Sequence, residues 1–82
     1  MKRFLNLTIV TPEGIVFEGE VDRIELPGTL GSFMVMPMHA ALISSLTAGE
    51  ISYVKEGKSD KVVIKGGFVE VKQDTVSVCV EQ

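Results

Sequence analysis

From Phe4 to Val10 apolar and polar residues alternate, with Leu5, Leu7 and Ile9 on one side of an extended chain and Asn6 and Thr8 on the other. A period of two marks a strand with one buried face, so the first strand is expected here. Thr11-Pro12-Glu13-Gly14 follows. Pro fixes φ at about −65° and Gly takes the fourth position, which is type I turn chemistry. The alternation resumes from Ile15 to Leu26, where Val16, Glu18 and Glu20 stand against Phe17 and Val21, then Ile24 and Leu26, and Gly19 predicts a bulge or bend. Pro27-Gly28 reads as a type II turn with Gly28 where φ must be positive, Gly31 adds a second hinge, and Thr29 and Leu30 between them are expected to protrude. Phe33 to Met36 is a short strand stopped by Pro37. Ala40 to Leu46 fits a strand or one helical turn, and the pattern does not decide between them.

The second half reads as hairpins. Gly49 to Val54 connects through Glu56-Gly57-Lys58 to Lys61–Lys65, and Gln73-Asp74 turns Phe68–Lys72 into Thr75–Val80. Gly66-Gly67 is a two-residue hairpin signal or a bulge. Short strands with close turn signals and no useful helical period predict an all-β sandwich or barrel, and residues 1–82 make one domain.

Superimposed on this pattern is a stretch without formal charge, Leu26 to Gly49, apart from whatever His39 acquires. The remainder holds all eight Lys and Arg and all eleven Asp and Glu. About 20 apolar residues would span a bilayer, but Pro27, Gly28, Gly31, Pro37, Ser44, Ser45 and Thr47 interrupt the run and no flanking Lys or Arg cluster orients it. It is read as part core, part partner-binding surface, without membrane insertion.

Composition narrows the function. A chain this short buries about 60% of its unfolded surface, a thin two-layer core, and the lack of Trp leaves Val, Ile, Leu and Met to build it. Net charge is −3 and the basic residues are scattered, so nucleic acid is not an expected partner. Glu13, Glu18, Glu20, Asp22 and Glu25 alternate with apolar residues, as a solvated strand face requires. The single Cys79 forms no internal disulfide and reads as a small buried hydrophobe. MKRFLNLTIVT lacks an unbroken apolar region and a following cleavage site, so no signal peptide is expected.

Nucleophilic catalysis would have His39 with Ser32, Ser44 or Ser45 to draw on, and no G-x-S-x-G elbow is present. No phosphate-binding loop is found. Met34, Met36, Met38 and His39 form a thioether and imidazole set suited to Cu(I), an alternative function set against a core face filled by methionine.

Taken in order, LTIVTPEGIVFEGEVDRIELPGTLGSFMVMPMHAALISSL and VIKGGFVEVKQDTVSVCVE resemble the N-terminal domain of the epsilon subunit of F-type ATP synthases. The resemblance is carried by the T-P-E turn at Thr11 to Glu13, the Pro27-Gly28 to Gly31 loop, the cluster from Pro37, His39 and Ala40 into Leu42, Ile43, Ser44 and Ser45, and the Gly66-Gly67-Phe68 step. It implies an antiparallel β-sandwich of about ten short strands in two sheets. It also implies a non-catalytic rotor subunit of the central stalk, peripheral on the cytoplasmic side of the bacterial inner membrane, linking the gamma subunit to the c-ring and coupling ion translocation to ATP synthesis. Thr11, His39, Ala41, Leu42, Ser44 and Ser45 match gamma-facing positions, and Thr29, Leu30, Gly31 and Ser32 match the loop that rests on the c-ring. Leu30, Ser32, Met34 and Met38 depart from the residues usual in the family. Members usually continue into a C-terminal helical pair that can inhibit hydrolysis and in some binds ATP. This chain stops at Gln82, so no bound nucleotide is expected, and no cofactor or metal is expected either. The alternative reading is a stand-alone β-sandwich binding module. Within the charge-free run, Ala41 is expected to face the partner, and Met34 and Ile43 the core.

Overall fold

The computed structural model describes residues 3–82. Within them nine strands follow one another: β1 Leu5–Thr11, β2 Gly14–Val21, β3 Arg23–Gly28, β4 Gly31–Val35, β5 Leu42–Leu46, β6 Gly49–Lys55, β7 Lys58–Ile64, β8 Gly66–Lys72 and β9 Thr75–Glu81. Five of them, in the order β2-β1-β9-β8-β5, make one layer, and β4-β3-β6-β7 make the other. A single pair, Gly28 with Leu46, joins the layers, so the sandwich is one sheet folded over at a corner. No helix of the described residues is long and apolar enough to cross a membrane.

The expected all-β sandwich is present, with one departure from antiparallel pairing. β1 and β9 run parallel, from Asn6 beside Thr75 to Val10 beside Cys79. Parallel neighbours need a long crossover, and here every intervening strand serves as one.

Alternation sets the core. Leu5, Leu7, Ile9, Val21, Ile24, Leu26, Val35 and Leu46 point inward and meet Ile51, Ile64, Val69, Val71, Val76 and Val78 from the second half of the chain. No polar or charged residue among those described is buried. Phe17 on β2 and Tyr53 on β6 close the far side of the sandwich, with ring centroids 4.4 Å apart. Burial, then the negative charge of Asp60 and a 3.5 Å contact with its Oδ2, hold the Tyr53 phenol above its ordinary value.

Several local expectations are corrected. Ile15 to Leu26 is two strands, broken at Asp22, whose N–H donates to the Val54 carbonyl at 2.7 Å as the chain changes layer. The bulge lies opposite Ile9 and Val10, where the register jumps from Phe17 to Ile15, while Gly19 pairs regularly with Leu7. Gly28 is not at positive φ; it is buried in β3, and a Cβ there would lie 2.7 Å from the Gly31 carbonyl oxygen. The β3–β4 turn is therefore Thr29 and Leu30. Gly66-Gly67 is neither hairpin nor bulge: the chain changes layer at Lys65, whose N–H donates to the Glu81 carbonyl at 2.7 Å.

The methionines do not form a core face. Phe33 and Val35 take the inward positions of β4, so the period of two leaves Met34, Met36 and Met38 exposed by 45%, 53% and 73%. Parity corrects Ile43 in the same way. The segment after Ala40 forms strand β5, with Leu42, Ser44 and Leu46 turned inward and Ile43 and Ser45 outward. Cys79 is half-buried on an outer face.

Candidate functional site

The β3–β4 hairpin ends in Leu30, a fully exposed side chain at the tip. Gly31 and Ser32 already belong to β4, paired with Gly28 and Pro27, so the turn is tighter than the sequence indicated. Its position is fixed against β5. Thr29 Oγ1 lies 3.1 Å from Ser45 Oγ, Thr29 N–H donates to the Ser45 carbonyl at 3.3 Å, and Thr47 N–H donates to the Pro27 carbonyl at 2.8 Å. These bonds surround the Gly28–Leu46 pair that joins the layers.

Beside this corner lies the outer face of the five-stranded layer. The registers align Ser45, Phe68, Cys79, Val10 and Ile15 in one row across β5, β8, β9, β1 and β2. Four of these are apolar, and Phe68 and Ile15 are exposed. The next row runs Ile43, Glu70, Ser77, Thr8 and Glu18, so charge flanks the apolar row on one side. A polar-faced strand that interrupts its own pattern is the signal that could have found Phe68. In Phe68-Val69-Glu70-Val71 the valines are buried, and Phe68 shares the side of Glu70. Ile43, Val10 and Ile15 were likewise missed as surface residues.

The sequence-predicted residues divide between these positions. Ala41 and Ser45 are exposed, and Ser45 belongs to the outer face. Leu42 is half-buried against the core, and Ser44 shares its inward side. Thr11 holds the β1–β2 turn, its Oγ1 accepting from Glu13 N–H at 3.2 Å and donating to the Gly14 carbonyl at 3.4 Å. His39 precedes β5 in a turn where its N–H donates to the Met36 carbonyl at 3.2 Å and its Nδ1 donates to the Ala40 carbonyl at 2.7 Å. Ser44 Oγ donates to the Ser45 carbonyl at 3.0 Å, and Ser45 Oγ is engaged with Thr29. These bonds aim the hydroxyls at main chain and at each other, the arrangement of a fixed surface and not of a nucleophile held by a base. Among the described residues no group of three or more His, Cys, Asp or Glu is placed to hold a metal ion.

The family described as "ATP synthase, Delta/Epsilon chain, beta-sandwich domain" matches residues 4–82. The chain is similar to the ATP synthase epsilon chain of Leptospira borgpetersenii, 40% identical over 74 residues, covering 90% of this chain and 58% of that protein. It is 47% identical over 79 residues to the ATP synthase epsilon chain of Wolinella succinogenes, covering 95% of this chain and 59% of that one. The chain thus spans under two thirds of the length of these relatives. Among solved structures, a chain of the Euglena gracilis mitochondrial ATP synthase, OSCP/F1/c-ring in rotational state 1, shares the fold with a TM-score of 0.91 and 24% identity, over 96% of this chain and 51% of that chain. A chain of the Tetrahymena thermophila mitochondrial ATP synthase central stalk and c-ring shares it with a TM-score of 0.83 and 19% identity, over 99% of this chain and 66% of that one.

Proposed function

The chain belongs to the ATP synthase delta/epsilon chain beta-sandwich domain family, and from that premise we propose that it is a non-catalytic rotor subunit of an F-type ATP synthase. In this reading it links the gamma subunit to the c-ring, peripheral on the cytoplasmic side of a bacterial inner membrane, and helps couple ion translocation to ATP synthesis. The observation that carries the reading is that one charge-free segment supplies both a fully exposed hairpin tip, Leu30, and an exposed apolar strand position, Ile43, tied together through Thr29 and Ser45. Monomeric proteins rarely leave contiguous apolar surface uncovered without a use for it.

The gamma-facing surface we propose centres on Ala41, Ile43 and Ser45 and extends over Phe68 and Val10. His39 and Thr11 border it, while Leu42 and Ser44 support it from the inner side. The c-ring-facing part is the tip at Thr29 and Leu30, with Gly31 and Ser32 as its returning stem. Load received at the tip would pass to β5 through the bonded corner, with no hinge loop between.

A tagged chain expressed with the other synthase subunits tests this. It should recover gamma and c subunits. Ala41→Glu should remain folded and lose gamma, because an uncompensated charge in a desolvated interface costs about 2 kcal/mol or more. Recovery of gamma at wild-type yield by Ala41→Glu would move the partner surface elsewhere.

A further inference from the structure

The loop between β4 and β5, residues 36–41, lies outside the sheet ladders, yet it presents His39 and Ala41. Its backbone contains Met38 at φ 69°, a conformation rarely adopted by residues with a side chain. Part of what holds it there is local, a turn with Pro37 ahead of Met38 and the His39 N–H donating to the Met36 carbonyl at 3.2 Å, and part comes from elsewhere in the chain. The β8–β9 turn is made by Gln73 and Asp74, at φ 50° and 62°. Asp74 Oδ1 accepts the Met38 N–H at 2.6 Å, and Asp74 Oδ2 accepts from Arg3 Nη2 at 3.1 Å. The Asp74 carbonyl also accepts the Asn6 N–H at 2.8 Å. Three segments distant in sequence meet at this one residue: the chain entering β1, the β8–β9 turn, and the loop ahead of β5.

We propose that Asp74 is a positioning residue for the candidate partner surface: it latches Met38 at positive φ and so fixes where His39 and Ala41 stand before β5. The proposal rests on the reading of that surface given above. The chemistry is that of a carboxylate. Hydrogen bonds to an ionised acceptor are short and stronger than neutral ones, and one carboxylate offers an oxygen to Met38 and another to Arg3. Asn at this position would retain one acceptor oxygen and lose the charge that pairs with Arg3. Ala would lose both bonds and leave the Met38 conformation to the Met36–His39 turn alone.

Amide hydrogen exchange of the 82-residue chain, read by NMR, tests the latch directly. In the wild type the Met38 amide should be protected. In Asp74→Ala its protection should fall by about tenfold or more while amides in β6 and β7 keep theirs, a local opening and not a global one. Asp74→Asn, which preserves the turn and an acceptor, should fall between the two and serves if Asp74→Ala does not fold. Equal Met38 exchange in wild type, Asp74→Asn and Asp74→Ala overturns the latch. Gamma capture then tests positioning: Asp74→Ala should weaken it by about tenfold with the sandwich intact. Lost Met38 protection with unchanged gamma affinity overturns the positioning role. A wild-type chain that captures no gamma overturns the rotor reading itself, while the exchange data still decide the latch.

Discussion

Ile43 and Leu46 lie three positions apart on one strand and should respond oppositely to truncation. Leu46 is 4% exposed and sits in the core, whereas Ile43 is 76% exposed on the outer face. Removing a buried Leu side chain to Ala costs about 2 to 5 kcal/mol. For Ile43 about a quarter of the side chain is withdrawn from water in the free chain, which scales the same range to about 0.5 to 1 kcal/mol. A domain of this size has a urea m-value of about 1 kcal/mol/M, so Leu46→Ala should lower the midpoint by about 2 M or more and Ile43→Ala by under about 1 M. The remaining three quarters of Ile43 is available to a partner. Full burial of such a side chain contributes about 1.5 to 3 kcal/mol, which scales here to about 1 to 2 kcal/mol, or about 5- to 30-fold in gamma affinity. Urea denaturation followed by far-UV circular dichroism, beside a gamma-binding titration, reads both quantities. A midpoint loss above about 2 M for Ile43→Ala would refute the outward placement; unchanged gamma affinity would refute its part in the interface.

Leu30→Asp should leave the urea midpoint of the free chain almost unmoved, since exposed substitutions fall within about 0.5 kcal/mol, and should reduce c-ring association in a reconstituted rotor. Met34→Ala, removing a side chain about half withdrawn from water, should cost about 1 to 2.5 kcal/mol on the same scaling, and a urea midpoint loss equal to or above that of Leu46→Ala would contradict the outward placement. Gly67→Ala should destabilise the sandwich by about 3 kcal/mol or more, read as a fall in melting temperature, because the new Cβ would overlap the Cys79 carbonyl oxygen and lie 2.8 Å from Val80 Cα at φ 153°. Acceptance of the Met38 N–H, then the Arg3 hydrogen bond, outweigh burial and hold the Asp74 carboxyl below its ordinary 3.8. The folded value is the lower one, so this stabilisation is complete above pH 3.8 and is lost as the pH falls through the depressed value. Acid unfolding of Asp74→Asn should lack that component, and a curve superimposable on wild type would contradict the assignment.

Strand existence was legible where alternation was clean, as in Leu5-Asn6-Leu7-Thr8-Ile9, because one buried face fixes the parity of every residue. Parity failed to announce itself where both faces are apolar. In Met34-Val35-Met36 and Leu42-Ile43 nothing polar distinguishes outside from inside, and the inward choice was made by Val35 and Leu46 meeting residues far along the chain. Glycines were misread for a related reason. Gly28 and Gly19 looked like turn and bulge formers, yet a Cβ at Gly28 would meet the Gly31 carbonyl oxygen and the Phe33 ring, and one at Gly19 would crowd Lys55 Nζ and the Phe17 ring, demands set by packing that no local pattern contains. Of the candidate site, the exposed tip at Leu30 was readable from its flanking Pro and Gly. The apolar row through Phe68, Cys79 and Val10 was not, because it exists only across strand registers.

The parallel pairing of β1 with β9 sets an order of events during synthesis. Among the nine strands described, β1 leaves the ribosome before the others and stands between β2 and β9, so the β1–β2 hairpin waits with its other edge open until residues of β9 emerge. Local hairpins such as β6–β7 can close early, but the five-stranded layer cannot be completed before the whole domain is translated. Closure across so long a stretch is slow relative to helical or hairpin formation. During that interval the β1 edge is a template for any extended chain nearby, and a nascent polypeptide halted before Thr75 would be the species that chaperones meet.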